Sequence, residues 1–88
     1  MNIYLIKQDI NKDYDTYDSC VVTANNEDEA RHIHPDDYLK GEWWIPKGEY
    51  TNWGLQDWCL PEQVTVTLIG ETNLINEAKV ICASFNAG

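Results

Sequence analysis

The spacing of apolar positions changes several times along this chain, and each change marks an element. Ile3, Tyr4, Leu5 and Ile6 form an unbroken apolar run inside Asn2 to Gln8. A short run with both faces apolar predicts a strand in the middle of a sheet. Polar, turn-forming residues fill Asp9 to Asp15, and a second strand is expected from Tyr17 to Ala24, with Cys20, Val22 and Ala24 on one face. Two strands joined by a polar loop predict a hairpin. The alternation stops at Asn25 and Asn26, where a short acidic helix is expected to begin and Pro35 to end it. Asn26 is placed to cap the first turn, and Glu29, three residues on, to reach back in a capping box. Glu27, Asp28 and Glu29 lie at the positive end of the helix dipole, and Arg31, His32 and His34 at the negative end, so local charge agrees with the assignment.

Residues 36–61 show no sustained period and contain Gly41, Pro46, Gly48, Gly54 and Pro61, which reads as an insertion. Val64, Val66 and Leu68 then alternate with Thr65, Thr67 and Ile69 in the clearest strand pattern of the chain, which Gly70 is expected to close. A polar connection from Glu71 to Glu77 leads to a last strand, Lys79 to Asn86, with Ile81, Ala83 and Phe85 on one face. The elements predict one α+β domain over residues 1–88. It has a four-stranded, mostly antiparallel sheet in the order ββαββ, one short helix, and a long Trp-rich insertion between the helix and the third strand.

Composition narrows the functional classes. At 88 residues the chain has room for one modest core, and an apolar fraction of 43% is ample for it to fold. The run Ile3 to Ile6 is too short for a signal peptide or a membrane span, so a cytoplasmic location in a bacterial host cell is expected. Three widely spaced cysteines, Cys20, Cys59 and Cys82, are expected to be free buried thiols. The formal charge is −9, and residues 9–37 hold nine acidic side chains against Lys12 and Arg31, seven of the nine excess negatives. Such a surface repels phosphate backbones and anionic membranes and attracts basic proteins.

Each candidate chemistry competes with a plainer reading. Tyr38, Trp43, Trp44, Tyr50, Trp53 and Trp58 put six large aromatics into the insertion. They suit a contact surface, or they hold the long loop over the sheet. Asp9, Asn11, Asp13, Asp15 and Asp18 resemble the opening of a calcium loop. However, Tyr14 stands where the turn needs glycine and Cys20 where a bidentate Glu would close the shell, so a solvated hairpin loop is favoured. His32 and His34, two apart, point in different directions on a helix and are read as ordinary C-terminal histidines. Cys59 with a histidine has no third group to complete a nucleophilic site. No enzymatic activity, cofactor or metal is expected.

The strings Ile3 to Asp9, Tyr14 to Ser19, Glu29-Ala30-Arg31, Ile33-His34-Pro35, Val66 to Gly70 and Cys82 to Gly88 resemble a group of small acidic phage and prophage proteins. The resemblance implies a phage origin and brings no catalytic residues with it. The function expected is therefore non-enzymatic: a phage accessory protein that binds a host protein with a basic surface. A counter-defence inhibitor of the anti-CRISPR or DNA-mimic kind is an analogy of composition. Asp13, Asp15, Asp18, Asp36, Asp37, Trp43, Trp44, Trp53 and Trp58 are the expected contacts. The alternatives are a small ligand- or calcium-binding module and a self-associating structural accessory protein.

Overall fold

The computed structural model describes residues 1–12, 14–36 and 57–86. Strand β1, Asn2–Lys7, pairs antiparallel with β2, Thr16–Ala24, which places Tyr4 opposite Val22 and Ile6 opposite Cys20. These four side chains, with Ala24, are buried on one face of the sheet and form the centre of the core. The expected central place of β1 holds: β3, Thr65–Glu71, lines its other side, and β4, Lys79–Asn86, lines the far side of β2. Every pairing in this β3-β1-β2-β4 sheet is antiparallel.

The helix, α1, is only Glu27–Arg31 and lies against β1, β2 and β3, with Ala30 buried in the core. Asn26 caps it by accepting from the Glu29 N–H at 2.8 Å. The return arm is displaced by one residue, since the Glu29 carboxylate accepts from the Asn25 N–H at 2.8 Å. Pro35 is not what ends the helix. The chain tightens first, with the N–H groups of His32 and Ile33 bonding to carbonyls three residues back, Glu29 and Ala30. Past that turn Ile33, His34 and Pro35 enter the core. The Arg31 guanidinium donates to the carbonyls of Pro61 and Val64, clamping the 3₁₀ turn Pro61–Gln63 and the start of β3 to the helix end.

Three irregularities change which residues face inward. The register of β2 against β4 shifts around Asp18, so Tyr17 joins Cys20 on the core face. It shifts again at Ile81, so that Val80 packs on the core and Ile81 is left 45% exposed. The expected single face of Ile81, Ala83 and Phe85 is broken by this extra residue. In β3 the register against β1 slips at Ile69, and the strand runs through Gly70 to Glu71.

Consecutive strands β3 and β4 occupy opposite edges, so the connection between them crosses the open end of the β1–β2 pair, away from its loop. It is tied down on the way. The Met1 ammonium donates to the Thr72 carbonyl and the Thr72 N–H to the Met1 carbonyl, both at 2.8 Å, and the Thr23 hydroxyl donates to the Glu77 carbonyl at 2.8 Å. Among the described residues no helix is long and apolar enough to cross a membrane. Cys20 and Cys59 are buried free thiols as expected, whereas Cys82 is exposed, because it falls on the sheet face opposite the core.

Candidate functional site

The loop joining β1 to β2 is organised by one side chain. Tyr4, Ile6 and Gln8 share the core parity of β1, so Gln8 is carried inward and is buried. Its amide uses both ends. Oε1 accepts from the N–H groups of Ile10 at 2.9 Å and Asn11 at 2.7 Å, while Nε2 donates to the carbonyls of Asn11 at 2.6 Å and Tyr17 at 2.8 Å. The Gln8 N–H closes the hairpin on the Asp18 carbonyl at 3.2 Å. A group that both donates and accepts is what a loop interior lined by both kinds of backbone atom requires. Calcium needs six to eight oxygens, and the amide already occupies two carbonyls facing the loop centre. Among the described residues no group of three His, Cys, Asp or Glu side chains converges on a cation position.

Around this frame the carboxylates of Asp9, Asp15 and Asp18 are exposed. Asp15 turns the chain with φ 61°, a left-handed conformation that aspartate tolerates better than most residues, and its N–H donates to the Asn86 carbonyl at 2.7 Å. Asp18 accepts from the Ser19 hydroxyl at 3.3 Å.

Behind the loop lies a buried polar cluster. His34 is 1% exposed, and its Nδ1 accepts from the Asp36 N–H at 3.0 Å. An acceptor nitrogen carries no proton, so the neutral ring holds its hydrogen on Nε2, which faces Asp57 Oδ1 at 3.2 Å. Burial pushes the Asp57 carboxyl above its ordinary pKa; the Asp36 charge adds to this, while His34 and hydrogen bonds oppose it. The Tyr17 ring stands edge-on to His34, with centroids 6.4 Å apart, and the indole of Trp58 lies 6.4 Å from His34 on another side. The Tyr17 phenol is raised by burial first and then by the charges of Asp36 and Asp57. Asn11 Nδ2 donates to the Trp58 carbonyl at 3.2 Å, joining this cluster to the loop. Trp58 Nε1 is buried without a hydrogen-bond partner among the described residues, and Asp57 Oδ1, also buried, has the 3.2 Å approach of His34 Nε2 in place of a well-aligned bond.

The expected contact residues are thus distributed unequally. Asp15 and Asp18 are exposed at the hairpin end, and Asp36 is half-buried with its backbone holding His34. Trp58 is 1% exposed and belongs to the core, so of the two readings given to the tryptophans it takes the packing one. Asp13, Asp37, Trp43, Trp44 and Trp53 lie outside the described residues, as does most of the expected insertion.

The reading of His34 as an ordinary terminal histidine is corrected, because the chain turns inward immediately after α1. Gln8, Tyr17 and Asp57 belong to no chemical motif in the sequence. Gln8 alone had a clear signal, a polar residue continuing the parity of Tyr4 and Ile6. Burial pushes the Cys20 thiol up to about 12 and the Cys59 thiol to about 11, so at neutral pH neither is the thiolate that nucleophilic chemistry uses. No family model, curated protein or solved structure matches this chain.

Proposed function

We propose that this protein is a non-catalytic binding module that docks on a basic protein surface through the acidic hairpin end of its sheet. The observation that carries this reading is the Gln8 amide. With all of its hydrogen-bonding positions used, it fixes the backbone from which the exposed Asp9, Asp15 and Asp18 project. Carboxylates held in place on an otherwise acidic chain steer a cationic partner and lose less entropy on binding than carboxylates on a floppy loop. In this proposal Asp13, Asp36 and Asp37 extend the field. In the same proposal Trp43, Trp44 and Trp53, from the stretch of sequence between α1 and β3, supply apolar anchors. The setting we propose is a phage accessory protein acting on a host protein that itself handles nucleic acid, where an acidic face competes with phosphate for a basic groove.

The test is capture from bacterial lysate at low salt with the wild-type chain and with Asp15→Lys/Asp18→Lys. Basic proteins should be retained by the wild type, released as salt rises, and lost with the double substitution, because exposed charges act through a screened field. Retention unaffected by the double substitution would rule out this end of the sheet.

A further inference from the structure

The two outer strands treat their free edges differently. β3 ends on Glu71, has its bulge at Ile69, and is pinned near its start by Arg31. β4 has neither charge nor proline from Val80 to Asn86, and its bulge at Ile81 leaves Cys82 to Asn86 as regular strand. An uncharged edge without proline is what natural sheets usually disguise.

The direction of its backbone groups follows from the hydrogen bonds. The Asp18 carbonyl accepts from Gln8 and therefore faces β1, so the next residue, Ser19, faces β4, where its partner is Ser84. Alternation then turns Cys82, Ser84 and Asn86 toward β2, in agreement with the bond from Asp15 N–H to the Asn86 carbonyl. Ala83 and Phe85 are left with their N–H and C=O groups pointing away from the sheet. The same two residues put their side chains on the core face at its rim, where Ala83 is small and half-buried and Phe85 is 47% exposed.

We infer that β4 is a strand-pairing interface for a second copy of this chain, antiparallel about a two-fold axis at Ser84, with Ala83 opposite Phe85 of the second copy. This register satisfies both outward-facing residues on both strands and runs the two sheets into one. It also seats each phenyl ring over the small side chain of the other copy, a cross-strand pairing of large on small. A second copy fits better than a foreign strand because the pattern Ala83-Ser84-Phe85 is complementary to itself when reversed. Moreover, β4 carries no carboxylate to repel a chain of net charge −9. Two chains of that net charge repel each other as wholes. Added salt therefore strengthens this pairing, the opposite of its effect on the docking complex proposed above, and the two readings stand or fall separately.

Sedimentation equilibrium tests it. The wild type should show a species of twice the 10.2 kDa chain mass whose share rises with concentration and with salt. In a Cys82→Ser background, Ser84→Cys should cross-link on oxidation, since directly opposed residues of a non-hydrogen-bonded pair lie about 4.5 Å apart, within disulfide reach. Thr67→Cys on β3 should not cross-link. Ala83→Pro deletes an outward N–H and Phe85→Lys places a charge at the seam; each should give a monomer, the second deciding the matter if the first disturbs the strand. A wild type that is monomeric at every salt concentration, or a dimer that survives both substitutions, overturns the inference.

Discussion

Two buried polar centres lie at the same end of the sheet, and they are built in opposite ways. Gln8 is neutral, and each of its amide atoms is matched to loop backbone of the complementary kind. The His34 and Asp57 pair is ionisable, with one ring nitrogen held by the Asp36 N–H, the other facing the carboxylate at 3.2 Å without good alignment, and the neighbouring indole N–H unmatched among the described residues. A matched neutral group costs little to bury and rigidifies what surrounds it; a half-matched charged one costs more than it returns. The exposed acidic loop therefore draws its rigidity from the amide, while the imidazole behind it is held by the packing of Tyr17 and Trp58.

The most damaging way to break this contrast is Gln8→Leu. It keeps the volume but strands two loop N–H groups and two carbonyls. A loss of about 3 kcal/mol is expected, seen as a fall in Tm of more than about 10 °C in thermal unfolding. A small change would mean that solvent replaces the amide, and the loop would lose its claim to rigidity.

The second, smaller effect reverses the sign. The Asp57 pKa is raised in the fold, so its charged form is the disfavoured one there. The wild type therefore gains stability as pH falls through that raised value, the gain being complete below the ordinary 3.8. Asp57→Asn should be the more stable protein at neutral pH, and its advantage should fade on acidification toward that value, as followed by urea unfolding across a pH series. An advantage independent of pH would show that the carboxylate charge is not the cause.

The smallest effect expected is that of Trp58→Phe. Losing part of a large buried ring is offset by removing an N–H that has no partner, so stability should stay within about 1 kcal/mol of wild type, measured by denaturant midpoint. A loss of several kcal/mol would show that the indole nitrogen is matched after all.

What could be read from the sequence was whatever depends on near neighbours. The apolar run of β1, the alternation of Cys20, Val22 and Ala24, and the Asn26 cap all act over a few residues, and the four-stranded antiparallel sheet with one short helix follows from them. Facing could not be carried past a bulge. One extra residue at Ile81 exchanges it with Val80, and another near Asp18 turns Tyr17 inward, and strand propensity is blind to both. The placing of β3 and β4 on opposite edges is set by which strand of the hairpin each finds, a matter of tertiary packing. Of the candidate site, the exposed acidic residues were legible from charge alone. His34 and Asp57 were not, because they meet only after the chain has passed through residues 37–56.

The hairpin that occupies the middle of the sheet also has consequences for how the sheet is assembled. β1 and β2 are adjacent in sequence and close a short loop, whereas each outer strand must return across a much longer one, so the hairpin is the natural nucleus and the flanks are added last. A nascent chain therefore presents both sides of β1 and β2 unpaired until translation has delivered residues 65–86.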